Sequence, residues 1–366
     1  MNKNALLAAT TALALVAAAC SGGDDDAAAT VVASTTTEAP TTTESSTTST
    51  TSSTTTTEAT TTTTVPDVLR MPLTGEPIDD ADEVPDRPAL VVKLTNAGPQ
   101  PRPQAGLNTA DIVIEEVIND QVTRIAAVFH SEGTDPVGPV RSGRAQDINV
   151  MLAFDRPLFA WSGGNPAVTR AIRDSDLVDL SPSNASGFYR RQSRRSPNNL
   201  YSSTEVLWGQ TTDETGRPST VFPYVEPGEE IEGEPATEIT VDFDSQTVTW
   251  TYDDETGLYY RLQDGDEHNT EEGDEIEQVS TDNIVVMLAD YGTNVFDGNP
   301  DAQVLGSNPA LVFTGGTVQE GVWLRFEPTD PFGLFDSVDD LEPLRLQPGR
   351  TWLHIPRNVD GTVEWE

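Results

Sequence analysis

Cysteine occurs once in these 366 residues, at Cys20, lysine only at Lys3 and Lys93, and histidine three times. A single cysteine excludes an internal disulfide framework. With Cys20 modified, no thiol remains for a cysteine peptidase or transpeptidase. His130, His268 and His354 lie far apart in the sequence and lack metal-ligand spacing, so neither a metal site nor a cofactor is expected. There is no Gly-x-Ser-x-Gly elbow, no His-Glu-x-x-His pair and no phosphate-binding Walker loop. A Ser-x-x-Lys nucleophile would have to use Lys93, and Leu90 fills the matching position. Asp297-Gly-Asn-Pro-Asp301 opens like a calcium loop, but Ala302 and Asn308 occupy the places of its glycine and its bidentate acid. Basic charge is scarce: 21 Lys and Arg stand against 60 Asp and Glu, a net −39. A surface this acidic repels nucleic acid at long range.

What is present begins with export. Met1-Asn-Lys-Asn4 carries one positive charge, and the apolar run Ala5–Ala19 follows. That is the pattern of a secretory signal peptide, and the run is shorter than the roughly 20 residues needed to span a bilayer. Small residues lead into Cys20, as in lipoprotein signal peptides. Residues 1–19 are expected to be removed, and Cys20 to carry lipid that holds the chain on the extracytoplasmic face of the cell membrane. Residues 20–66 are rich in Thr and Ser and hold no aromatic residue, the composition of a disordered tether. A flexible chain of about 40 residues spans roughly 35 Å.

The charge is unevenly spread. Residues 67–366 carry −34, and residues 221–366, with 33 acids against five arginines, carry −28 of it. Residues 121–200 run the other way, with ten arginines against seven acids. Two readings fit: these arginines pair with acids of the C-terminal half, or they form a surface for carboxylate or phosphate.

The periodicity predicts an α+β fold, with an N-terminal α/β part over residues 67–220 and a mostly antiparallel β part over residues 221–366. Ala89–Leu94, Ala110–Val117 and Val122–Phe129 are β-branched or apolar runs of strand length; the last two suit a hairpin. Ile148, Met151, Leu152 and Phe154 recur at helical spacing after Ser142, a candidate N-cap. Arg156–Trp161 reads as a strand and Ser162–Asn165 as a turn. Pro166 suits the first turn of a helix capped by Asn165. Glu238–Phe243 and Thr247–Tyr252 alternate with period two. Leu258–Leu262, Asn283–Ala289, Ala310–Phe313, Val322–Phe326 and Thr351–Ile355 are further strand candidates.

The strongest constellation is Gly138-Pro-Val-Arg141-Ser142-Gly143-Arg144. A helix beginning at Ser142 would bring free backbone N–H groups and two guanidiniums together, an arrangement that binds anions. Arg124 and Glu115 are the other candidate ligand-binding residues, and no catalytic set is assigned.

Several of these motifs occur together in a known family. Pro103-Gln-Ala-Gly-Leu107, Ala110-Asp-Ile-Val113 with Glu115, Thr123-Arg124, Gly138–Ser142 with Arg144, Gly163-Gly164, and Pro197 with Asn199-Leu-Tyr201 resemble the YerB-like lipoproteins. Tyr260-Arg261, His268, Asn283–Val286 and Pro348-Gly-Arg-Thr-Trp352 extend the resemblance to the C-terminal part, so that it covers residues 85–357. It implies an extracytoplasmic lipoprotein with two adjoining parts, in a family of unknown function. The expected role is a cell-envelope protein that binds an anionic cell-wall ligand, or an acidic segment of an envelope protein, on Arg141, Ser142, Arg144 and Arg124. The alternatives are an envelope hydrolase or transferase using Glu115 as general base beside the arginines, and a salt-adapted spacer.

Overall fold

Residues 68–212, 215–229 and 231–366 are described by the computed structural model. The expected signal peptide, Cys20 and the expected tether lie outside them. Apolar runs without alternation supply the centre of the main sheet. β1 (Leu90–Thr95), β2 (Ile112–Val117) and β3 (Thr123–Phe129) are buried along their whole length. Continuous burial is what a strand covered on both faces requires. β2 and β3 form the expected hairpin, from Ile112 opposite Val128 to Val117 opposite Thr123. Its connection turns through Asp120 and Gln121 at positive φ (60° and 59°).

The chain continues through α1 (Gln146–Met151), β4 (Leu158–Ala160), α2 (Pro166–Asp174) and β5 (Val178–Asp179). The later strands are β6 (Glu238–Asp242), β7 (Thr247–Asp253), β8 (Leu258–Gln263), β9 (Asn283–Met287), β10 (Gly306–Thr314), β11 (Thr317–Arg325), β12 (Gly333–Phe335), β13 (Thr351–Ile355) and β14 (Val363–Trp365). The eleven-stranded main sheet runs β12-β11-β10-β9-β13-β2-β3-β1-β4-β5, with Glu234–Pro235 beside β11. β13 lies between β9 and β2 and is parallel to both. The sheet therefore crosses the 220/221 boundary, and the described residues belong to one compact unit.

A smaller six-stranded antiparallel sheet covers one face: β8, β7, β6 and β14, with the short strands Asp266–Glu267 and Ser280–Thr281 paired to β8. Its longer strands alternate inside and outside, and Ile239, Trp250 and Tyr259 pack with Val113, Ile125 and Trp352 of the main sheet. The other face carries α1, α2 and loops, with Phe154, Ile172 and Phe332 against Ile114, Val128 and Leu353. Among the described residues no helix is long and apolar enough to cross a membrane.

The expected α/β character is diluted: the protein is mostly β with few helices. The helix expected from Ser142 starts at Gln146, and Ala145 at its N-cap position makes no side-chain capping bond. Ser142 cannot cap because the residues that follow it, Gly143 and Arg144, are not helical, and the chain leading to it is held extended. The Val140 N–H donates to Leu200 O at 2.7 Å, and that of Arg141 to Lys93 O at 2.8 Å. α2 is as expected, with the Asn165 side chain accepting from the Ala167 N–H and Pro166 in the first turn.

Candidate functional site

Side chains alternate along a strand, so the β1–β3 register sorts the charged residues by face. Lys93, Glu116 and Arg124 point to the helix-bearing face, and Glu115 points to the other. Lys93, fully buried, reaches Glu116 at 2.5 Å and Asp147 of α1 at 2.6 Å. Burial pushes Glu116 up to about 7; Lys93 opposes this and the Asp147 carboxylate adds to it. The second Asp147 oxygen accepts the Arg144 N–H at 2.7 Å, so Asp147 closes the start of α1 in place of Ser142.

Arg124 stands opposite Glu116 across the β2–β3 pair and is 3% exposed. Its Nη1 donates to the Ser142 carbonyl at 2.8 Å, which ties the Arg141–Arg144 segment to the sheet. Burial, then the charges of Arg144 and Arg141, lower its guanidinium to about 9. Burial and Arg144 lower Arg141 as well. Both remain cationic near neutral pH. Arg144 donates to Asn119 Oδ1 at 2.8 Å and to the Gly143 carbonyl at 3.0 Å. Among the described residues, none of the three guanidiniums has a carboxylate within 4 Å. Their Nε atoms are buried without a partner. The Arg141 guanidinium and the Ser142 hydroxyl make no hydrogen bond within the described protein. Gly163, at φ 90°, passes so close that a Cβ there would stand 3.3 Å from Ser142 Oγ. The exposed Gly163–Pro166 turn thus borders the arginines.

Glu115 does not join them. On the opposite face, fully buried, its Oε1 accepts from Asn96, Thr123 and Gln246 at 2.7, 2.6 and 2.9 Å. Its Oε2 meets Arg261 at 2.8 Å and His354 Nδ1 at 3.3 Å. Burial alone would raise this carboxyl, but Arg261, then His354 and Thr123, hold it well below the usual carboxylate range. Arg261 also contacts His268, whose Nε2 meets Gln104 at 2.8 Å, and Trp250 donates to His354 Nε2 at 2.9 Å. Burial lowers both histidines, which stay neutral. A carboxylate so acidic and so enclosed is a poor general base. Asp147, an acid the sequence offered as an ion-pair partner of Arg141 and Arg144, bonds the Arg144 backbone N–H and not its guanidinium; sequence reasoning missed Asn119 as a partner of Arg144 and overlooked Arg261 and His354 as partners of Glu115. Charged or titratable residues inside otherwise apolar strands were the available signal for Arg261 and His354.

Residues 73–217 match the model described as "Protein of unknown function (DUF3048) N-terminal domain", and residues 239–353 match its C-terminal domain. YerB of Bacillus subtilis (strain 168), named as a lipoprotein, is 29% identical over 309 residues, 81% of this chain and 90% of that protein. The crystal structure of YerB superposes with a TM-score of 0.68 at 24% identity, covering 81% of this chain and 99% of that one. The fold and the paired N- and C-terminal matches agree: the chain belongs to the DUF3048 family and is a homologue of YerB.

Proposed function

We propose that this is a lipid-anchored protein of the cell envelope that captures an anionic group on Arg124, Arg141, Ser142 and Arg144. The observation that carries the reading is the convergence of three guanidiniums, none with a carboxylate of the described residues within 4 Å, in a chain of net −39; Asp147 and Glu116 act on Arg124 only at longer range. Other arginines find acids readily, as Arg173 does with Asp179 at 2.9 Å and Arg191 with Glu271 at 2.6 Å. Clustered like charge is costly unless something balances it, and a bound carboxylate or phosphate would do so bidentately. The ligand class is a cell-wall fragment or an acidic segment of an envelope partner. Membrane attachment through Cys20 rests on the sequence pattern and on the lipoprotein name of YerB.

The test is thermal unfolding of the full chain with phosphate or muropeptides at fixed salt, beside an Arg141→Ala/Arg144→Ala variant. A ligand-dependent rise that follows linkage and disappears in the variant supports the site. No shift with any of these would sink it. Arg141→Ala alone should change stability by less than about 0.5 kcal/mol, because no hydrogen bond is lost. Cys20→Ser should release the chain from the membrane fraction.

A further inference from the structure

A second basic site lies away from the Arg141 cluster. The Gln100–Pro103 loop and the Ser193–Asn198 loop enclose a cleft of about 610 Å³. Arg102, Arg194 and Arg195 line it, the remaining lining residues are Ser, Asn and Gln, and none is acidic. With 60 acids in the chain against 21 basic residues, such a lining runs against the composition.

The walls are tied in place without a ligand. Arg194 donates to the Pro101 carbonyl at 2.8 Å and to that of Pro103 at 2.7 Å, joining the two loops. Arg191 grips Glu271 with two bonds of 2.6 and 2.8 Å, and lies 4.2 Å over the Tyr201 ring. The other two arginines have donors to spare. Arg195 is exposed, and its side chain makes no hydrogen bond or ion pair within the described protein. The nearest acid to Arg102 is Asp264, at the outer limit of 4.0 Å.

Three guanidiniums supply more charge than a single carboxylate requires, and their fork geometry suits phosphate oxygens. The surrounding hydroxyls and amides both donate and accept, which suits a ligand rich in hydroxyls. The volume falls in the range of about 300–1,000 Å³ typical of small-molecule sites, larger than a bare phosphate needs. We infer that this cleft binds a phosphate-bearing sugar or polyol. It does not depend on the Arg141 site.

Calorimetric titration of the full chain with glucose 1-phosphate, inorganic phosphate and glucose tests it. Glucose 1-phosphate should bind at least tenfold more tightly than inorganic phosphate, and glucose should not bind measurably. Arg102→Gln/Arg195→Gln, which leaves the Arg194 and Arg191 ties intact, should weaken glucose 1-phosphate at least tenfold. Arg141→Ala/Arg144→Ala should leave that affinity unchanged. No binding, equal affinity for inorganic phosphate, or affinity untouched by the Arg102/Arg195 variant would overturn the inference. Loss in the Arg141/Arg144 variant would move the binding to the other site and overturn it as well.

Discussion

Glu115 shows how one buried charge depends on residues the chain delivers from far away. Its oxygens accept from Asn96, Thr123 and Gln246, and it pairs with Arg261 and His354, all buried. Replacing it by Gln keeps the shape but leaves the Arg261 charge uncompensated in a dry interior. Breaking a buried pair in this way costs about 3–5 kcal/mol, so Glu115→Gln should lower the free energy of unfolding in urea by that much, seen as a lower midpoint with little change in slope. A loss below about 1 kcal/mol would mean that Arg261 finds another acceptor. Arg261 lies 146 residues beyond Glu115, and no local pattern links them; that is why Glu115 read as a site residue. Arg141 and Arg144 were legible because a single heptapeptide holds both, and Arg124 came with them through the arginine excess of residues 121–200. The residue behind them is Glu116, the neighbour of the one chosen, and strand alternation decides between the two.

At the scale of elements, legibility followed locality. The β2–β3 hairpin, the β6–β7 hairpin and α2 each carry their own signal in adjacent residues, and each formed. α2 shows it best, with Pro166 in its first turn and Asn165 as its cap. Asn165→Ala should cost about 1 kcal/mol, the usual worth of such a cap, and should loosen the Gly163–Pro166 turn beside Ser142. Equal thermal stability of variant and parent would show that Val168 and Ile172, both buried, hold the helix without it. α1 was read too long because Ile148, Met151 and Phe154 keep helical spacing across what became a six-residue helix and a 3-10 turn. The extended pairing of Val140 and Arg141 with Leu200 and Lys93 overrode the helical tendency of the residues before Gln146. β13 was recognisable as a strand, but not its place. Parallel pairing with β2 joins Thr351 to Ile112 and Ile355 to Glu116, a match of two apolar runs that sequence period cannot specify.

Because β13 is set between β9 and β2, the sheet binds the two matched parts into one body, and the full chain should unfold in a single cooperative transition. Its pH dependence follows from three buried carboxyls. Burial raises Asp111 from 3.8 to about 6 against its bonds to Ser131 and His130, and raises Glu116 from 4.5 to about 7. Both hold a proton more tightly folded than unfolded, so their contribution is complete below their unfolded values and is lost as pH rises through about 6 and 7. Glu115, held low by Arg261, works in the opposite sense: its contribution is present above about 4.5 and is lost as pH falls below that. Self-repulsion of a chain at −39 acts in the same direction as Asp111 and Glu116, since it grows with deprotonation. The unfolding temperature should therefore peak in mildly acid solution, between about pH 4.5 and 6, and decline towards pH 8. At pH 8 added NaCl should recover only part of the loss, because salt screens surface charge and leaves the buried carboxyls untouched. Full recovery would assign the decline to surface repulsion alone. An unfolding temperature that climbs steadily to pH 8 would mean that Lys93 and Arg124 compensate Glu116 completely.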